Sequence, residues 1–317
     1  MNENALSLKV VSKQEIGTHI IEFKLASQGG QPLGSYEAGA HITLQAPNGM
    51  WRTYSLCGSP KDAAYWRIAV KREPMGRGGS ISLIDDADVG DLLSVLRPKN
   101  FFSLASRATG AIFVAGGIGI TPIYAMVQQL LDQGEENFRV IYCARDASSA
   151  VYGTELLDLV GTERMVMHFD HGDLDAAFDF WPMFEAPGPE HVYCCGPSGL
   201  MDAVRDMTGH WPNEQIHFES FSGAQVPVAL NTPFEVVLKR SGLTLQVPAQ
   251  WTLLQSLQAH GIQVPSSCES GSCGSCRVGL LSGQAEHRDL VLDQSERQSA
   301  IMVCVSRALD ATLVLDL

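Results

Sequence analysis

The sequence predicts a multidomain chain: an antiparallel β-barrel, then a doubly wound α/β domain, then a small β-rich domain closing around a cysteine loop. Three observations predict it. Short alternating apolar runs broken by Gly, Pro and Asn clusters fill residues 1–105. A continuous apolar run, Ala111–Ala115, leads through glycines into a helical stretch. Four of the eight cysteines fall in the last fifty residues.

In the first region the runs Leu6–Ser12, His19–Lys24 and His41–Gln45 alternate in polarity, as strands with one buried face do. Arg52-Thr53-Tyr54-Ser55 ends such a stretch, and Ala69-Val70-Lys71 ends another. Gly76-Arg77-Gly78-Gly79-Ser80 then precedes a helix start, where free N–H groups and the positive dipole end favour an anion. Arg52, Lys71 and Arg77 would add charge-assisted contacts to a phosphate. Tyr54 offers an aromatic face and a hydroxyl. Read alone, the glycine run is as well explained by a surface turn.

The second region is expected over residues 106–225. Its strands are Ala111–Ala115, Arg139–Ala144 and His191–Cys195, and its helices run from Ile123 to about Gln133 and over Ser198–Met207. Thr121 is expected to cap the first helix, with Pro122 at its first position. Gly116-Gly117-Ile118-Gly119 lets a pyrophosphate approach the backbone, although it is not the G-x-G-x-x-G pattern. Cys195-Gly196-Pro197 ends a strand near the switch point of the sheet, where ligands bind. Cys194 should face the other way, and it reads with Cys143 and Cys57 as structural. At the end of the second strand, Asp146 could bond a ribose hydroxyl, whereas Arg145 would suit a phosphate.

A linker is expected within residues 222–232, bounded as 226–232, and a third domain over 233–317. There Cys268, Cys273 and Cys276 follow the spacing C-x4-C-x2-C, with Cys304 downstream. This is plant-type 2Fe–2S spacing, in which three thiolates of one short loop and a fourth converge on two irons. Structural zinc prefers two separated pairs, so it fits less well. Residues 233–317 resemble the plant-type ferredoxins, which implies a β-grasp fold. His287 and Arg288 are either solvated loop residues or contacts to a docking partner.

The 317 residues are 45% hydrophobic and 18% charged, as in ordinary globular domains. The formal net charge of −13 argues against nucleic acid. The acid excess lies upstream of the cysteine loop, because residues 233–317 carry eight acids against six bases. No apolar run reaches membrane-span length and the N-terminus lacks a signal-peptide stretch, so a cytoplasmic location is expected.

Taken in order, the motifs resemble the ferredoxin–NADP reductase superfamily and, with the appended cysteine domain, the phthalate dioxygenase reductase family. The likeness adds His-Gly-Asp at 171–173 and His-Phe-Glu-Ser-Phe at 217–221, and vanillate O-demethylase reductases share the layout. It implies FMN held by Arg52 to Ser55, Ala69 to Lys71 and Arg77 to Ser80. It implies NADH held by Gly116 to Gly119, Arg145 and Cys195 to Pro197. Cys195, Thr121 and Phe221 would line the reaction site, with Thr121 and Phe221 beside the flavin. The implied activity takes hydride from NADH and passes single electrons through the cluster to a terminal Rieske-type oxygenase, the chain itself being a monomer. The alternatives are a reductase of a small acceptor, an O-demethylase reductase and a non-catalytic redox sensor.

Overall fold

A computed structural model describes residues 5–76, 78–106, 109–221, 231–266, 271, 274–289 and 291–317. The expected linker lies largely outside these residues, as do Arg77, Cys268 and Cys273. The chain divides into two compact units, residues 1–219 and 220–317.

The first unit opens with strands β1 (Ala5–Gly17), β2 (Ile20–Ser27), β3 (Ala40–Gln45), β4 (Trp51–Ser55) and β5 (Trp66–Lys71). Helix α1 (Gly79–Asp86) and strands β6 (Leu92–Leu96) and β7 (Lys99–Asn100) follow. The sheet order is β4-β3-β6-β1-β2-β5, with β7 beside β3, and its ladders are antiparallel. A bridge from Leu56 to Ile68 joins the two end strands and closes the barrel. Val10, Phe23, Leu25, Ile42, Leu44, Leu56, Ile68 and Val70 fill its interior without exposure. Alternation sends Ala69, between Ile68 and Val70, to the opposite face and into the core of the α/β domain.

That domain comprises β8 (Ala111–Gly116), α2 (Ile120–Asp132), β9 (Phe138–Ala144), α3 (Gly153–Val160) and β10 (Met165–Phe169). Then come α4 (Trp181–Phe184), β11 (His191–Cys195), α5 (Ser198–Met207) and β12 (Ile216–Glu219). The sheet order β10-β9-β8-β11-β12 is parallel throughout. Phe113, Ala115, Tyr193 and Cys195 pack on one face with residues of α2, while Ile112, Val114, Val192 and Cys194 pack on the other with Phe184, Met201 and Trp211. Burial on both faces explains the unbroken apolar run of β8. Cys194 and Cys195 therefore face opposite ways, as strand alternation requires.

Strands β10 and β12 were not expected. They are sheet edges, and their half-exposed sequences carry weak periodicity; Val166 is 48% exposed. The helix start also differs. A 3-10 turn over Gly117–Gly119 leads directly into α2, so Thr121 is not a cap. Its hydroxyl donates back to the carbonyl of Ile118 at 3.0 Å.

At the amino ends of β11 and β12, the rings of His191 and His217 hydrogen-bond at 2.9 Å. The His217 ring stacks on Tyr193 at 4.5 Å. Burial, then the neighbouring His191, pushes the His217 pKa down from 6.5 to about 4. The unfolded chain therefore takes up the proton first. Stability from this group is full above about pH 6.5 and is lost as pH falls towards 4. Melting temperatures at pH 7.5 and 5 should therefore fall less in His217→Phe than in the parent chain. An equal fall would show that this pair does not set the acid limb.

The second unit contains β13 (Phe234–Leu238), β14 (Leu243–Val247), α6 (Leu253–Ala259), β15 (Arg277–Ser282) and β16 (Ala285–Glu286). Strands β17 (Ala300–Met302), β18 (Arg307–Ala308) and β19 (Thr312–Leu315) complete it. The order is β14-β13-β19-β15-β17, with β13 and β19 parallel, and β16 pairs with β18. Thr252 and Gln255 form a capping box on α6. Leu253, Leu254 and Leu257 of that helix pack against Val236, Leu238, Ile301 and Leu313. A mixed sheet holding one helix is the β-grasp arrangement expected.

Candidate functional site

In the α/β sheet, β8 leads on to β9 and β10 on one side, while β11 and β12 lie on the other. The order therefore reverses between β8 and β11, and the crevice at their carboxyl ends is the place where such sheets hold ligands. Its walls are Gly116 to Gly119 and Cys195 to Pro197. Gly117 has φ +52° and open space around it, so its glycine serves the backbone conformation. Gly116 and Gly119 serve closeness. A Cβ on Gly116 would meet Pro197 Cδ and Leu200 Cδ2 at 2.6 Å, and one on Gly119 would run into the Cys195 carbonyl and the Gly196 nitrogen. The glycines thus let the two walls touch each other.

Cys195 is fully buried, and burial, then Glu219, then Cys194, push its pKa well above the ordinary thiol value. It is a neutral thiol at neutral pH, not a nucleophile. Register pairs Cys195 with Glu219 at the end of β12. Glu219 is 8% exposed, and the Ser55 hydroxyl donates to its Oε2 at 3.3 Å. Ser55 ends β4 of the barrel, so one corner joins the expected flavin strand to the expected nicotinamide strand. Glu219 was not nominated from sequence, although it lies within the His-Phe-Glu-Ser-Phe motif. Thr121 is buried in the first turn of α2. Phe221, 43% exposed, belongs to the second unit.

On the barrel, Thr53 faces Thr43 with hydroxyls 3.2 Å apart. Gly78 has φ +84° and caps α1. A Cβ on Gly79 would meet Arg52 Nε at 2.5 Å, so the Arg52 side chain crosses the first turn of that helix. Gly78, Gly79, Ser80 and Arg52 are thereby gathered at one helix N-terminus. Lys71 is exposed, and Val70 points into the barrel core, leaving only its backbone for a ligand. Burial raises the Tyr54 pKa, so its phenol stays protonated. Across the α/β domain, Asp146 is held ionised by Ser148 Oγ at 2.7 Å and the Ser149 N–H at 2.9 Å, beside an exposed Arg145.

In the second unit, Cys276 and Cys304 are 3% and 2% exposed. Pairing of β15 with β17 brings them together, and the Val303 N–H donates to the Cys276 carbonyl at 3.3 Å. Gly271 has φ +78°, and a Cβ there would meet Val305 Cγ2 at 2.7 Å and Asp289 Cα at 3.2 Å. Gly271 packed this closely, with Cys276 and Cys304 converging, fits a diiron–sulfur cluster. The His287 and Arg288 side chains are largely covered rather than freely solvated, at 12% and 10% exposed. Arg288 bonds Asn231 and Glu286, and the buried Asp289 carboxylate accepts from the Leu292 N–H at 2.9 Å.

Fold and sites define a class: a flavin- and nicotinamide-binding oxidoreductase carrying a 2Fe–2S domain. Residues 7–103 match the family described as the oxidoreductase FAD-binding domain. Residues 113–206 match the oxidoreductase NAD-binding domain, and 236–309 the 2Fe-2S iron-sulfur cluster binding domain. Phthalate dioxygenase reductase of Burkholderia cepacia is 50% identical over 313 residues, covering 98% of this chain and 97% of that protein. The vanillate O-demethylase oxidoreductase of a Pseudomonas species is 36% identical over 308 residues, covering 95% and 96%. A solved structure of phthalate dioxygenase reductase superposes with a TM-score of 0.78 at 49% identity, covering 99% of this chain and 98% of that one. The chain belongs to the phthalate dioxygenase reductase family.

Proposed function

We propose that this chain is the NADH-dependent reductase component of a Rieske-type oxygenase, holding FMN in its barrel and delivering single electrons through its 2Fe–2S cluster. The corner where Ser55, Cys195 and Glu219 meet carries this reading. It sets the end of a barrel strand beside the dinucleotide crevice within one compact unit.

The crevice walls hold the pyrophosphate of NADH, and Thr121 and Cys195 line its nicotinamide end. NADH gives up hydride and leaves as NAD+, and two single electrons and one proton are then released. A bound flavin supplies the conversion of a hydride into single electrons, and the cluster supplies one-electron transfer. The protein aligns the rings and excludes water. The Ser55 hydroxyl and the Glu219 carboxylate can hold the released proton at Oε2. Arg52 and the first turn of α1 would hold the flavin phosphate, and the family resemblance favours FMN. The family resemblance favours NADH over NADPH; the ionised Asp146 would repel a ribose 2′-phosphate, whereas the exposed Arg145 beside it would attract one. Partner oxygenases that act on aromatic carboxylates or aryl ethers fit the names of the relatives.

Purified protein should contain flavin, iron and acid-labile sulfide, and should oxidise NADH faster than NADPH. The released flavin should keep its fluorescence after phosphodiesterase treatment. A rise would identify FAD, and colourless protein would end the proposal.

A further inference from the structure

Behind the reaction corner lies a buried polar cluster that the proposed chemistry does not use. Arg67 of β5 is its cation, with a side chain 15% exposed. Its Nε lies 3.2 Å from Oε2 of Glu22 on β2, itself 6% exposed. Its guanidinium carbon stands 4.7 Å from the ring centre of Tyr152 and 5.1 Å from that of Tyr124. The two rings stack, 13° from parallel. The Tyr152 hydroxyl donates to Glu22 Oε2 at 2.8 Å, and the Tyr124 hydroxyl to Glu155 Oε1 at 2.5 Å. Arg67 and Glu22 belong to the barrel, whereas Tyr124, Tyr152 and Glu155 belong to the α/β domain.

A buried ion pair loses in desolvation much of what its attraction returns, so it is weak evidence for stability. A planar guanidinium can instead pair with a carboxylate and lie against aromatic rings at once, which fixes geometry. Tyr152 sits at φ +58°, a conformation bulky residues rarely adopt. Each partner also leads to the reaction site. The Arg67 carbonyl accepts from the N–H of Cys57 at 2.9 Å, two residues beyond Ser55. Tyr124 follows Thr121 on α2. The Tyr142 hydroxyl lies 3.0 Å from the Gly117 carbonyl and 3.1 Å from that of Val151, next to Tyr152.

We propose that Arg67 is the positioning residue for hydride transfer, fixing strands β4 and β5 against the glycine turn and helix α2. This rests on the reading that nicotinamide meets flavin at the Ser55–Cys195–Glu219 corner. Reacting atoms must come within about 3–3.5 Å, and a misplacement of about 1 Å costs on the order of 100-fold in rate.

The test mixes full-length protein with excess NADH, or with NADH deuterated at C4, and follows flavin bleaching by stopped flow. In Arg67→Met the limiting rate at saturating NADH should fall roughly 10- to 100-fold, with a larger isotope effect. Flavin content and NADH affinity should stay near the parent values. Arg67→Lys keeps the charge without the planar fork, and should fall between. A lower melting temperature with a parental limiting rate would make Arg67 merely structural and overturn the proposal. If Arg67→Met does not fold, the decision passes to Glu22→Gln/Arg67→Met, which leaves no unpaired buried charge, and to Tyr152→Phe. Parental rates in both overturn it, and a slowed hydride step in either supports it. Parent protein that NADH cannot bleach would sink the site reading instead.

Discussion

Cys276→Ser should leave NADH able to bleach the flavin while electron delivery to a one-electron protein acceptor, such as cytochrome c, falls by roughly 100-fold or more. The reason is a division of labour between the two units. The barrel and the dinucleotide domain share residues 1–219, and the cysteine domain has its own core in residues 220–317. Cys276 is buried immediately before β15, and its carbonyl accepts from the N–H of Val303, next to Cys304. A serine hydroxyl is a harder, less acidic ligand than a thiol and fills less of that pocket. Iron and sulfide should therefore be lost from the second unit, and flavin should be retained in the first. Unchanged iron content would remove Cys276 from the ligand set. Undiminished cytochrome c reduction without iron would mean that electrons leave from the flavin directly.

Gly119→Ala should cut kcat/KM for NADH by roughly 100-fold while flavin content holds. Gly119 has φ −64°, which any residue adopts, so the backbone conformation does not demand glycine. Space demands it. The added methyl group would press on the carbonyl of Cys195 and the nitrogen of Gly196, both backbone atoms that cannot swing aside. Overpacking of this kind costs about 1–3 kcal/mol, and relief must come by moving α2 away from β11. That motion pulls apart the two walls of the dinucleotide crevice. Gly117→Ala is the contrasting variant: its space is open, and only its φ of +52° is strained. It should cost less. A parental NADH rate in Gly119→Ala would show that the walls need not touch.

The parts of the site that were legible in the sequence are those whose chemistry demands residue types at fixed spacing. The spacing from Cys268 to Cys276 is one, in that a 2Fe-2S domain is matched over residues 236–309, and the glycine turn after β8 is another. Glu219 was not legible. It is one of 35 acidic residues, and it ends an edge strand with little periodicity. Only the pairing of β12 with β11 sets it beside Cys195. Thr121 misled because a Thr-Pro pair after glycines imitates a helix cap, whereas the 3-10 turn moves the helix start to Ile120. His287 and Arg288 looked like loop residues because polar side chains in a cysteine-rich segment usually meet water. Hydrogen bonds to Asn231 and the Arg297 carbonyl hold them partly covered instead.

By itself the sequence determined the order of three folding regions and the classes of cofactor: flavin, nicotinamide and a 2Fe–2S cluster. These follow from local periodicity and from spacing along the chain, which do not depend on distant partners. Only the tertiary structure decided which face of β5 meets the α/β domain, and hence that Arg67, an ordinary outward residue of an alternating strand, is buried against Tyr124 and Tyr152. Burial and charge pairing at such a place arise when segments far apart in the chain pack, and no local pattern encodes that meeting.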